Sequence, residues 1–154
     1  MYKPMLSLTL SLAMISFFAV GCADKPTLLP PSDKNLRKTN AQFAADAAKR
    51  HPYKADAPRG GEAEARAEVD YTTNDLSIVN LSKQPWTDVE VWVNKNYVVF
   101  LPAMAPNDLK KISFTMLYDD KGNSFPTNNL KMMINKVEIL RDGKMYDVKA
   151  KLGD

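Results

Sequence analysis

At 154 residues the chain has room for one domain of ordinary size and an extension. A charged fraction of 25% beside a hydrophobic fraction of 45% excludes a wholly disordered chain. The net charge of +3 is too small, and Lys and Arg too dispersed, to announce a nucleic-acid partner, so none is expected.

Residues 1–21 read as a leader. Lys3 supplies a basic start, residues 5–20 (MLSLTLSLAMISFFAV) carry no charge, and small residues close the run at Ala19-Val20-Gly21-Cys22. That layout describes a secretory signal peptide. The competing reading is a transmembrane helix, but Asp24, Lys25 and the prolines at 26, 30 and 31 cut the run short of the usual ~20 residues. Ala19-Val20-Gly21-Cys22 resembles the lipobox of bacterial lipoproteins, with Ala19 where that family most often has leucine. The resemblance implies that Cys22 becomes the first residue of the mature protein and carries the lipid that holds it to a membrane of the bacterial cell envelope. Ala23 beside it implies delivery to the outer membrane. Cys22 is the only cysteine, which excludes an internal disulfide and a cysteine zinc cluster.

Residues 22–63 read as a tether. Its first part, ADKPTLLPPSDK, holds proline and polar residues with little to bury. Thr39-Asn40-Ala41-Gln42 has the spacing of a capping box, and the alanine-rich run behind it ends at His51-Pro52, which predicts a short helix over 40–50. Only Phe43 and several alanines are available for its apolar face. Residues 55–64 (ADAPRGGEAE), with the Gly60-Gly61 pair, read as a second flexible stretch.

The folded domain is expected over 64–154. Short β-forming runs at 67–73, 76–81, 88–94, 97–101, 110–118, 130–135, 137–141 and 145–152 are separated by turn residues, among them Asn74-Asp75 and Asp142-Gly143. Strands of this length at 8–12-residue spacing, almost without helix, predict an all-β fold: an immunoglobulin-like antiparallel β-sandwich of about seven strands.

The run around Asn94-Lys95-Asn96-Tyr97 carries the strongest hairpin signal. A two-residue loop pairing Asn94 with Tyr97 sets Val91 opposite Phe100 and places both in the core. Trp92, Tyr97, Val99 and Leu101 then share the outer face beside Asp88 and Glu90, and form the candidate interaction face. An apolar group on a sheet face that water normally wets either receives a partner or is covered by the upstream helix. Trp86 is expected at the edge of the core.

No residue pattern carries catalysis. His51 lies beside a proline without a serine or cysteine nucleophile in a recognisable setting, and neither a glycine-rich phosphate loop nor an HExxH sequence occurs. Asp119-Asp120-Lys121-Gly122-Asn123 lacks the spacing and the closing Glu of a calcium loop, so neither a metal nor a cofactor is expected.

The run N-L-S-K-Q-P-W-T-D-V-E-V-W-V-N from Asn80, followed by Leu117-Tyr118-Asp119 and Gly122, resembles small immunoglobulin-like domains of bacterial envelope lipoproteins, loosely of the FxLYD type. Thr115 stands where that motif has phenylalanine. The resemblance supports the sandwich fold, and with no reactive constellation in the sequence the expected role is non-enzymatic: binding another envelope protein or serving as a structural accessory. The alternative is a small-ligand binding module using the Trp92 face.

Overall fold

The computed structural model describes residues 38–127 and 132–152; the leader expected at 1–21, Cys22 and the beginning of the strand expected from Leu130 lie outside them. Among the described residues the chain forms one α-helix and seven strands, an all-β fold.

Helix α1 (Asn40–Arg50) starts at a complete capping box: the Thr39 hydroxyl accepts the Gln42 amide, and Gln42 Oε1 accepts the Thr39 amide. These two bonds satisfy backbone donors that a helix start leaves unpaired. The strands are β1 (Arg59–Asp70), β2 (Asp75–Asn80), β3 (Trp86–Val93), β4 (Tyr97–Met104), β5 (Leu109–Ser113), β6 (Val137–Arg141) and β7 (Lys144–Leu152). A 3₁₀ turn at Phe114–Met116 ends the regular part of the expected 110–118 strand. Residues 132–136 form no strand. Their backbone is taken up mainly by side chains instead: Asn94 Nδ2 donates to the Met133 carbonyl, Asn94 Oδ1 accepts the amides of Asn135 and Lys136, and the Tyr71 hydroxyl accepts the Ile134 amide.

The strands lie in the order β4-β3-β6-β7-β1-β2-β5. Strands β4 and β5 are the two edges, yet only residues 105–108 separate them in sequence. Five residue steps reach at most ~18 Å, whereas six strand spacings laid flat span ~29 Å. The sheet must therefore curl until its edges approach, which makes it a sandwich of β4-β3-β6-β7 against β1-β2-β5. Asn80 fastens the closure: fully buried, it donates through Nδ2 to the Gln84 and Met104 carbonyls and accepts the Ser82 amide and hydroxyl. Between the layers lie Val69, Leu76, Ile78, Val91, Ile112, Phe114, Phe125, Ile139 and their neighbours, one continuous core.

The ladders are antiparallel except for β1 with β7, which run parallel. Parallel strands need a long connection, and here the whole domain between the first and last strands supplies it. Strand β1 also starts at Arg59 rather than near Glu64. Ala63, Ala65, Ala67 and Val69 all face inward, an alternation that the weak β preference of alanine conceals. The Gly60-Gly61 pair is part of this strand. Tyr146 packs directly on Gly60, where a Cβ would collide with its ring, and Gly61 (φ 81°) sits at an irregularity in the β1–β7 register.

Candidate functional site

The Asn94 hairpin decides which side chains reach the outer surface. Val93 pairs with Tyr97, leaving a three-residue loop, Asn94-Lys95-Asn96, with Asn94 and Lys95 in the left-handed region at φ 50° and 61°. The two-residue loop expected from the sequence is one residue too short, and a one-residue slip turns every side chain of a strand to the other face. Tyr97 (7% exposed) and Val99 accordingly point into the core, and Leu101 packs against it. Phe100, expected in the core, is 38% exposed. Val91 is buried in the core and Trp92 faces outward, so the four residues Trp92, Tyr97, Val99 and Leu101 do not form one face.

The outer face of β4-β3-β6-β7 is instead a grid of two rows. Val98, Trp92, Glu138 and Asp147 stand side by side across the four strands, and Phe100, Glu90, Leu140 and Met145 form the next row. This face is covered by the chain's own N-terminal segment. Ala48 of α1 joins Trp92, Val98, Leu140 and Met145 in a second apolar cluster, with Tyr53 and Ala57 packed against it. Trp92 is thereby 3% exposed. Tyr53 meets it edge to face at 5.3 Å between ring centroids. Residues 51–58 thus form a strap that crosses the face and runs into β1, and the Met145 amide donates to the Pro58 carbonyl (2.9 Å) as it leaves.

Helix α1 approaches through alanines, not through Phe43, which stays exposed. Gly122 (φ 84°) lies so near that a Cβ would come within 2.9 Å of the Ala41 carbonyl oxygen and 3.2 Å of the Ala45 Cβ. The turn holding Gly122 is built by Asp119, whose carboxylate accepts the amides of Lys121 and Asn123 and the Asn123 side chain. Asp119 is thus a turn organiser. Tyr118 of the same Leu117-Tyr118-Asp119 run exchanges backbone bonds with Val98, partly closing the β4 edge.

Two buried carboxylates flank Trp92. Glu138 is fully buried and gathers three donors: the Tyr53 hydroxyl (2.8 Å), Arg59 Nη1 (2.5 Å) and Lys136 Nζ (2.9 Å). Burial works to raise the Glu138 pKa, but the bonds from Lys136, Tyr53 and Arg59 outweigh it and hold the group below its ordinary range. Burial in turn pushes the Tyr53 hydroxyl up. Glu90 accepts the Trp92 indole N–H at 3.0 Å, and His51 Nδ1 lies 3.5 Å from its other oxygen. Tyr53 and Arg59 therefore pin the strap at Glu138, while His51 lies beside Glu90. The sequence reading named Trp92 and set Glu90 beside it but missed Glu138, Tyr53 and Arg59. The visible signal was Glu90 and Glu138 standing at outward positions of otherwise apolar strands.

The fold and this site define an immunoglobulin-like β-sandwich in which an apolar outer face is closed by the chain's own N-terminal strap. No family model matches the chain, and neither a curated protein nor a solved structure does. Among the described residues no helix is long and apolar enough to cross a membrane.

Proposed function

We propose that the protein is a lipoprotein of the bacterial cell envelope, anchored through lipid on Cys22, whose β-sandwich is a non-enzymatic interaction or structural accessory module for another envelope protein. The observation that carries the reading is the charge-free run at 5–20 leading without interruption into Ala19-Val20-Gly21-Cys22, at the only cysteine of the chain. One acyl chain binds a bilayer with an association constant of only about 10⁴ M⁻¹, so a lasting anchor needs the several chains, palmitate among them, that lipoproteins of this kind bear. From Cys22 to Thr39 the chain reaches at most ~60 Å, enough to hold a small domain clear of lipid headgroups. The buried acids fit an accessory role because each is engaged by the strap or by its own sheet.

Expression of the full-length chain with labelled palmitate, followed by fractionation, tests the anchor. The parent is expected in the outer-membrane fraction carrying label, and Cys22→Ser is expected unlabelled and either released or left unprocessed. A Cys22→Ser protein that is cut after Gly21 yet remains as firmly membrane-bound as the parent would overturn the proposal.

A further inference from the structure

Where the strap begins, the covered face opens into a pocket of about 380 Å³ walled by His51, Asp88, Glu90, Phe100 and Pro102. A bend in the hairpin shapes it. Asp88 stands at φ 50° between the Thr87–Ala103 and Val89–Leu101 pairs, across from Pro102. Trp86 and Met104 beyond the bend turn back into the core, while Asp88 stays exposed. Glu90 supplies the buried charge. Its side chain is only 9% exposed, and among the described residues its Oε1 meets just the imidazole of His51, at 3.5 Å, longer than an ordinary hydrogen bond. Asp88 forms no ion pair among the described residues. The remaining wall is apolar, with the half-exposed Phe100 ring set edge-on to His51 at 5.6 Å.

The geometry points to a binding site for a primary ammonium on a short aliphatic stem, the chemistry of a lysine side chain presented by a partner protein. An ammonium carries three donors; Glu90 Oε1 and Asp88 offer acceptors for two of them, and solvent at the pocket mouth takes the third. The stem lies along Phe100 and Pro102, where the aromatic face also attracts the cation. A guanidinium fits less well. Its fork seeks both oxygens of one carboxylate, and Glu90 Oε2 is already committed to the Trp92 indole. The site gives chemistry to the interaction-module reading and rests on that reading only for its biological use; amine binding and membrane anchoring fail or hold independently.

The Trp92 indole N–H, bonded to the same carboxylate, is a built-in reporter. Full-length ¹⁵N-labelled protein in non-ionic detergent is titrated with Nα-acetyl-lysine methylamide, with the neutral norleucine analogue and with the arginine analogue, following the Trp92 indole resonance. The expected result is a saturable shift with half-saturation on the order of millimolar for lysine, weaker binding of arginine and no saturable shift with norleucine. Glu90→Gln keeps an acceptor for Trp92 and is expected to weaken lysine binding about tenfold. Asp88→Asn tolerates the positive φ and is expected to weaken it about threefold. The proposal is overturned by absence of a saturable shift up to about 100 mM, by norleucine matching lysine, by arginine binding more tightly, or by undiminished affinity in folded Glu90→Gln.

Discussion

Trp92 and Phe100 differ in energetic weight in a way that residue type alone does not reveal. Trp92 is covered by Tyr53 and Ala48, and its indole N–H is bonded to Glu90. Truncation to Ala should remove an apolar cluster's central member and leave Glu90 without that donor, costing about 3–5 kcal/mol. Phe100 lies on the surface beside His51, and Phe100→Ala should cost no more than about 1 kcal/mol. Urea unfolding of the two variants checks both values, and equal losses would mean that the hairpin register is wrong. Asn80 illustrates the same principle with a polar group. Its side chain joins the end of β2, the 82–84 turn and the end of β4, giving the Asn-x-Ser element of the sequence a structural duty.

The strap is an element without regular backbone bonding, so apart from the Met145–Pro58 bond its attachment rests on side chains. Glu138 is its main fastener and makes the attachment acid-sensitive. Its pKa in the fold lies below the ordinary 4.5. The stabilisation it contributes is therefore fully present above about pH 4.5 and is lost as pH falls through its folded-state value. Asp119 is held low as well, so acid weakens the Gly122 turn in the same range. The Glu138→Gln variant isolates the strap: it should lower stability at pH 7 by about 1–3 kcal/mol, with parent and variant converging only as pH falls below the lowered folded-state pKa of Glu138. Hydrogen exchange at the Met145 amide, which donates to Pro58, reports strap opening directly. Parallel pH profiles for parent and variant would assign the acid sensitivity to another group.

The molecule closes on itself by joining its two edges through residues 105–108 and its first and last strands through a parallel ladder. That ladder begins at Arg59, and α1 belongs to the same compact unit as the strands. A domain boundary at Glu64 therefore cuts through β1 and strips the strap from Trp92, Leu140 and Met145. A fragment of residues 64–154 should lose its cooperative thermal transition or melt at least ~10 °C below a fragment of residues 38–154. Calorimetry on the two fragments distinguishes a structural strap from a dispensable tether; matching transitions would make it dispensable.

Local chemistry made much of this fold legible before any coordinates. The Thr39–Gln42 capping box predicts the helix because capping involves residues three apart, and Asp142-Gly143 predicts its hairpin because both residues accept positive φ, at 50° and 71°. What stayed hidden depends on residues distant in sequence. The Asn94 loop gains a third residue while its side chain binds backbone 39 to 42 positions away, and that one-residue change exchanges the roles of Tyr97 and Phe100. The alanines of β1 become strand residues because β7, the last segment of the chain, lies alongside them. Tyr53 and Arg59 look like linker residues until folding brings Glu138, about 80 positions later, beneath them. A buried carboxylate selects its donors by proximity in space, which linear spacing does not encode.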